Sequence, residues 1–240
     1  MKKPSPSVPA QSIQLMQHHS LPSLVLEHLE RMILAGQIIP GSKLSEAPLA
    51  GQLGVSRGPV REAFRGLEEK GLVRVEKNRG VFVRTISPDE ADDIYEVRQV
   101  IEALIVAKLA REPACLAAAG LSELLAKAEK LAARGNFAQC HTLNIEFHDR
   151  LAVLTGNVTL LDHYRRLVNA IALFRHQAHS KIRDASSLKA SVADHQAILN
   201  ALLKGDARAA TRLLRDHVEA SRARLQQLLI DPTGDTHELS

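Results

Sequence analysis

Three histidines occupy positions where helical spacing turns them inward. His148 follows Asn144 by four residues, so the two share one side of a helix. His195 lies in a stripe with Val192, Leu199 and Leu202, and His217 has Leu213 and Ala220 on its side. Imidazoles on the inward faces of three different helices are the raw material of metal sites in helical bundles. Neutral imidazole suits a borderline divalent ion such as Zn²⁺ or Ni²⁺, with open positions left for water or a small carboxylate. His141 shares the stripe of Asn144 and His148 and is a rival ligand or an outer-shell partner. The plainer reading of any single one of these histidines is a hydrogen-bonded core residue; three together favour the ligand reading.

A second constellation is cationic. Arg57, Arg61 and Arg65 recur along one face of the stretch from Ser56 to Lys70, with Val60, Ala63, Phe64 and Leu67 on the other. A guanidinium offers paired donors that match O6 and N7 of guanine, so Arg57 and Arg61, at the start of such a helix, could read base edges in a major groove. Arg65, Arg74, Lys77 and Arg79 would then neutralise phosphates. Taken as isolated charges, the arginines would form a solvated face paired with Glu62, Glu68 and Glu69.

The elements that must hold these residues follow from pattern. Leu26, Leu29, Ile33 and Leu34 have helical spacing that ends at Gly36; Ser45 opens a short helix closed by Gly54; Ser56 opens the arginine-bearing helix. Two short helices joined by a glycine turn make a helix-turn-helix, about 46–65. Leu72 to Glu76 and Val81 to Arg84, separated by Lys77, Asn78, Arg79 and Gly80, form a hairpin or wing within about 72–84. Ser87, Pro88, Asp89 and Glu90 open the next helix with a cap, a first-turn proline and acids at the positive end of the dipole. Helices are predicted at 88–111, 116–134, 137–155, 158–179, 187–204 and 206–229, with no strand after Arg84. The expected organisation is a tail at 1–20, a DNA-binding domain at 21–86, an all-helical domain at 87–230 and a tail at 231–240. The expected fold class is mostly α: a winged helix-turn-helix followed by an antiparallel helical bundle.

Composition agrees. The 240 residues suffice for two domains, and 45% hydrophobic content with 3% aromatics and no Trp implies a core of Leu, Ala, Val and Ile packed as helices. A net charge of +4 suits nucleic acid without proving it. Cys115 and Cys140 are too few for a disulfide framework and read as reduced thiols. No run resembles a signal peptide or a membrane span, so a cytoplasmic protein with no membrane partner is expected.

The stretches "ILAGQIIPGSKLSE", "LAGQLGVSRGPVREAFRGLEEKGLV" and "NRGVFV" in residues 24–86 resemble the DNA-binding domain of the GntR family of bacterial regulators. That resemblance implies operator contact through Arg57 and Arg61, within the segment Ser56, Arg57, Gly58, Pro59, and a wing glycine, Gly80, close to the DNA. Ala47 stands where several members carry a base-reading arginine, and Gly58 where a threonine is common, so operator preference does not transfer. Residues 88–229 resemble the FCD domain of the FadR branch, on "IYEVRQVIEALIVAKLA", "NIEFHDRLAVLTGN", "DHQAILNALLKGDARAA" and "LLRDHVEA". The resemblance implies a metal site of Asn144, His148, His195 and His217, with a neutral amide where most members have an aspartate. It also implies an arginine facing the effector pocket, here Arg98, whose plain alternative is a partner for Glu102 one turn away.

These readings point to a homodimeric regulator, a repressor, that binds double-stranded operator DNA and answers to a small carboxylate. One competing class keeps the DNA-binding role with a structural metal and another effector. The other is a metal-dependent hydrolase, which would need a general base on a motif such as H-E-x-x-H that the chain lacks.

Overall fold

The computed structural model describes residues 20–117, 119–177 and 185–230. Both predicted tails, apart from Ser20, lie outside the described residues, as does the end of the helix expected to reach 179. The chain divides into two compact units, Met1–Thr85 and Ile86–Ser240.

In the first unit, α1 (Leu21–Leu34) buries Val25, Leu29 and Ile33 and packs on α3 (Arg57–Glu69), which buries Val60, Ala63, Phe64 and Leu67. Lys70 and Glu30 join the ends of that contact at 2.6 Å. Between them, α2 (Glu46–Leu53) ends on Gly54 in the left-handed conformation, φ 66°, where a side chain would crowd the backbone. This produces the tight turn into α3. Ser45 and Ser56 occupy the N-cap positions as expected, but neither hydroxyl makes a capping hydrogen bond.

The wing is β2 (Val73–Glu76) and β3 (Gly80–Val83), antiparallel, with Glu76 opposite Gly80. Asn78 at φ 62° and Gly80 at φ 113° carry the reversal. A third strand, β1 (Lys43–Leu44), pairs with the outer edge of β3 and gives the order β1-β3-β2. Sequence patterning missed it because two residues have no period.

The second unit is helical: α4 (Pro88–Leu109), α5 (Pro113–Ala117), α6 (Leu121–Ala133), α7 (Phe137–Leu154), α8 (Val158–Gln177), α9 (Ala185–Leu203) and α10 (Ala207–Ile230). Ser87 caps α4 as expected, its hydroxyl accepting from the Glu90 amide at 3.1 Å. The predicted helix at 116–134 is instead two, a five-residue α5 and then α6, broken around Gly120 at φ 64°. The helix α4 packs on α10, α8 and α7, while α9 packs on α10, α6 and α7. The core between them is Leu, Ile, Val and Ala with Phe147, Tyr164 and Phe174. Cys115 is exposed and Cys140 buried, both as free thiols.

Candidate functional sites

His148 on α7, His195 on α9 and His217 on α10 are all fully buried, at 3%, 2% and 3% exposure. Their Nε2 atoms converge: His195 Nε2 lies 3.1 Å from that of His148 and 3.1 Å from that of His217. The outward nitrogens of two of them face carboxylates. Nδ1 of His217 is 3.2 Å from Asp194 Oδ2, and Nδ1 of His148 is 3.3 Å from Glu102 Oε2, an ion-pair contact rather than a well-aligned hydrogen bond. A carboxylate behind Nδ1 keeps the proton there and leaves a lone pair on Nε2. His148 and His217 thus aim lone pairs at His195, which has at most one proton to share between them. Such a cluster of acceptors without donors is unfavourable when buried, and a divalent cation satisfies all three at once. The three side chains fit a metal ion, and among the described residues they are the group that could hold one.

Burial holds the pKa of His195 well below the usual histidine range, with the neighbouring His148 and His217 adding to it. Burial also lowers that of His217, against the opposing pull of Asp194. Neutral imidazoles, ready to ligate, are the result. Burial alone would raise the pKa of Glu102, but Arg98 and then His148 outweigh it and hold the carboxyl at about 2.

Beside the histidines lies a cavity of about 40 Å³ lined by Tyr95, Arg98, His141, Asn144, Arg175 and Ser221 among others. Asn144 and His148 both line this cavity. His141 stands apart from the three-histidine cluster, against Arg175, where burial and that arginine bring its pKa to about 4. Arg98 makes the contact expected of its plain alternative, its Nε donating to Glu102 Oε1, and it also lines this cavity, its guanidinium over the Tyr95 ring at 5.6 Å. Sequence reasoning missed Glu102 and Asp194 as outer-shell groups. Asp194 points away from its neighbour His195, as helical geometry demands, but toward His217 on the adjacent helix, which no local pattern reveals.

On the first unit, Arg57, Gly58, Arg61 and Arg65 are exposed on α3, with Ser56 exposed at its cap and Pro59 partly covered. The carboxylate partners expected for the arginines are not those found. Arg61 makes a bidentate pair with Glu46 on α2, two contacts of 2.7 Å, and Arg74 and Arg79 both hold Glu76 in the wing. These pairs are exposed on the arginine side, so water and salt weaken them and a competing phosphate or base can take their place. Lys77 is exposed at the wing tip, and Gly80 follows it, where an added Cβ would meet Lys43 Cε at 3.1 Å.

Comparison with known proteins agrees with this arrangement. Residues 23–83 match the model of bacterial regulatory proteins of the gntR family, and residues 93–220 match that of the FCD domain. The chain is 31% identical over 206 residues to the Uxu operon transcriptional regulator of Escherichia coli K12, spanning 78% of this chain and 79% of that one. The chain belongs to the GntR family of transcription regulators. It is also 27% identical over 203 residues to the transcriptional repressor RspR of the same organism, across 83% of this chain and 86% of the relative. A GntR transcriptional regulator from Rhodococcus sp. RHA1 superposes with a TM-score of 0.73 at 31% identity, over 87% of this chain and 99% of that one. This GntR protein is accordingly a DNA-binding regulator with an FCD domain, not an enzyme. No helix among the described residues is long and apolar enough to cross a membrane.

Proposed function

We propose that this regulator binds one divalent metal, Zn²⁺ or Ni²⁺, at His148, His195 and His217 with Asn144 beside them, and that a small carboxylate at the open side of the site alters its grip on operator DNA. The observation that carries the reading is the convergence of three buried Nε2 atoms, two of them backed by carboxylates. When bound, the ion supplies positive charge for an anion to meet. The chain's own residues do the rest: Glu102 and Asp194 orient the imidazoles, Arg98 lines the cavity, and the buried core keeps water from competing.

On the DNA, Arg57 and Arg61 read base edges from the start of α3, whose entry is shaped by Ser56, Gly58 and Pro59. Arg65, Lys77 and Arg79 hold phosphates, with Gly80 letting the wing approach closely. Arg61 exchanges its bidentate contact with Glu46 for its target, whereas Arg57 has only a longer-range attraction to that carboxylate to give up. The resemblance to a relative named as a repressor supports repression as the direction of control.

The partner copy is a second identical chain. An outward face of α4 leaves Val97, Val100 and Leu104 exposed at 50%, 69% and 51%, with acidic Asp93 at one end and Lys108 at the other. Laid antiparallel on itself about a two-fold axis between Val100 and Ile101, this face puts Val97 opposite Leu104 and Asp93 opposite Lys108. Such self-complementarity is what an isologous interface requires.

Metal content tests the site. Elemental analysis of purified protein should find one divalent ion per chain, and His148→Ala, His195→Ala and His217→Ala should each deplete it. Asp194→Ala should weaken metal affinity by about 10-fold or more, as loss of an outer-shell carboxylate does. Protein that takes up no metal even on reconstitution would overturn the reading.

A further inference from the structure

The cavity beside the histidines is lined by a cation that no acid among the described residues balances. Arg175 enters it from α8, and its Nη1 lies 3.0 Å from Nδ1 and 3.2 Å from Nε2 of His141. One guanidinium nitrogen thus meets the imidazole across both ring atoms, although a neutral imidazole has only one acceptor to give. Among the described residues no carboxylate pairs with Arg175, and the groups whose charge acts on it are Tyr95, Arg98 and Arg224. The contrast is with Arg98 in the same wall, whose charge Glu102 takes up. Arg175 is part-buried, and a partly desolvated guanidinium with no carboxylate beside it favours the binding of an anion.

We propose that Arg175 and His141 form a second anion subsite, so that the ligand is a short dicarboxylate: one carboxylate meets the metal, the other the fork of Arg175. This deepens the metal-and-carboxylate reading above and rests on it. The planar fork of a guanidinium accepts a carboxylate bidentately. His141, neutral with a pKa of about 4, adds an N–H donor without a second positive charge. Glu102 cancels Arg98, so the excess positive charge in the cavity comes from the divalent metal and Arg175, and a dianion offsets more of it than a monoanion does.

Calorimetry on the metal-loaded full chain tests this with pairs of equal length: propionate against malonate, and butyrate against succinate. At least one dicarboxylate should bind about 10-fold or more tightly than its monocarboxylate, since hydrogen bonds to a charged group are the stronger kind. Arg175→Gln should remove that preference while elemental analysis shows unchanged metal content, which separates the fork from simple chelation by the ion. His141→Ala should reduce it in part and serves as the second variant if Arg175→Gln fails to fold. Equal affinity within both pairs in the wild type, or a preference that survives Arg175→Gln, would overturn the subsite while leaving the metal reading intact. Metal-loaded wild type that binds no carboxylate would overturn the metal-and-carboxylate reading and the subsite with it.

Discussion

His195 is the least supported and most constrained of the three histidines. Its neighbours each have a carboxylate behind Nδ1, whereas His195 stacks on Phe147 at 4.7 Å between ring centres and touches the other two imidazoles. Its charged form is disfavoured by burial first and by those imidazoles second. His141, a few residues from His148 on α7, is likewise held at about 4. The consequence for metal-free protein has a definite sign. An unfolded chain protonates its histidines near the ordinary value of 6.5, while the folded one resists until lower pH, so the unfolded state binds more protons and stability falls as pH drops below 6.5. Glu102 prolongs the decline, because its folded value of about 2 lies below the ordinary 4.5. Urea unfolding of chelator-treated protein should therefore show a loss of more than about 2 kcal/mol between pH 7 and pH 4.5, of which His141→Ala removes a substantial share. A flat stability profile across that interval would contradict the burial of neutral imidazoles. The histidines themselves were legible from helical stripes. Glu102 and Asp194 were not, because each acts across an interface between helices, where sequence distance carries no signal.

In the proposed docking, helix α3 and the wing divide the work of DNA binding by where their cations sit. Arg57 is exposed in the first turn of α3, near enough to Glu46 for their charges to interact, while Lys77 stands at the tip of the β2–β3 turn. Arg57→Ala should relax preference at one guanine position, at a cost of about 1–3 kcal/mol for the matched site. Lys77→Ala should weaken all sequences alike and reduce the slope of log affinity against log salt by about one. Operator titrations at several salt concentrations separate the two, and an Arg57→Ala variant with unaltered affinity and preference would exclude the proposed docking. The helices and the hairpin were readable because caps, glycines and a 3.6-residue period recur over ten or more residues. The strand β1 and the short α5 were not: two and five residues are too few to show a period, and β1 exists only because β3 offers it an edge. The pairing of Arg61 with Glu46 was equally hidden, since its fifteen-residue separation closes only when α2 folds back on α3.

For the assembled regulator, the α4 face makes dimerisation testable. In the proposed dimer, Leu104→Glu would place a carboxylate among Val97, Val100 and Ile101 of the second copy, and light scattering should show a shift from dimer to monomer with the fold retained by circular dichroism. A dimer that withstands both Leu104→Glu and Val97→Glu would move the interface elsewhere. In the proposed control, the same helix connects ligand to operator. It carries Arg98 and Glu102 in the cavity wall, and four residues separate its first residue, Pro88, from Val83 at the end of the wing. A ligand can shift DNA binding only by its own preference between two arrangements, and operator must then change ligand affinity by the same factor. The most direct measurement is calorimetric titration of the metal-loaded dimer with a dicarboxylate, with and without saturating operator, in wild type, Arg98→Ala and His195→Ala. Ligand affinity should differ by about 5-fold or more between free and operator-bound wild type, and both variants should bind the ligand weakly. Equal affinity with and without operator would contradict control through this site, and undiminished binding to both variants would contradict its location.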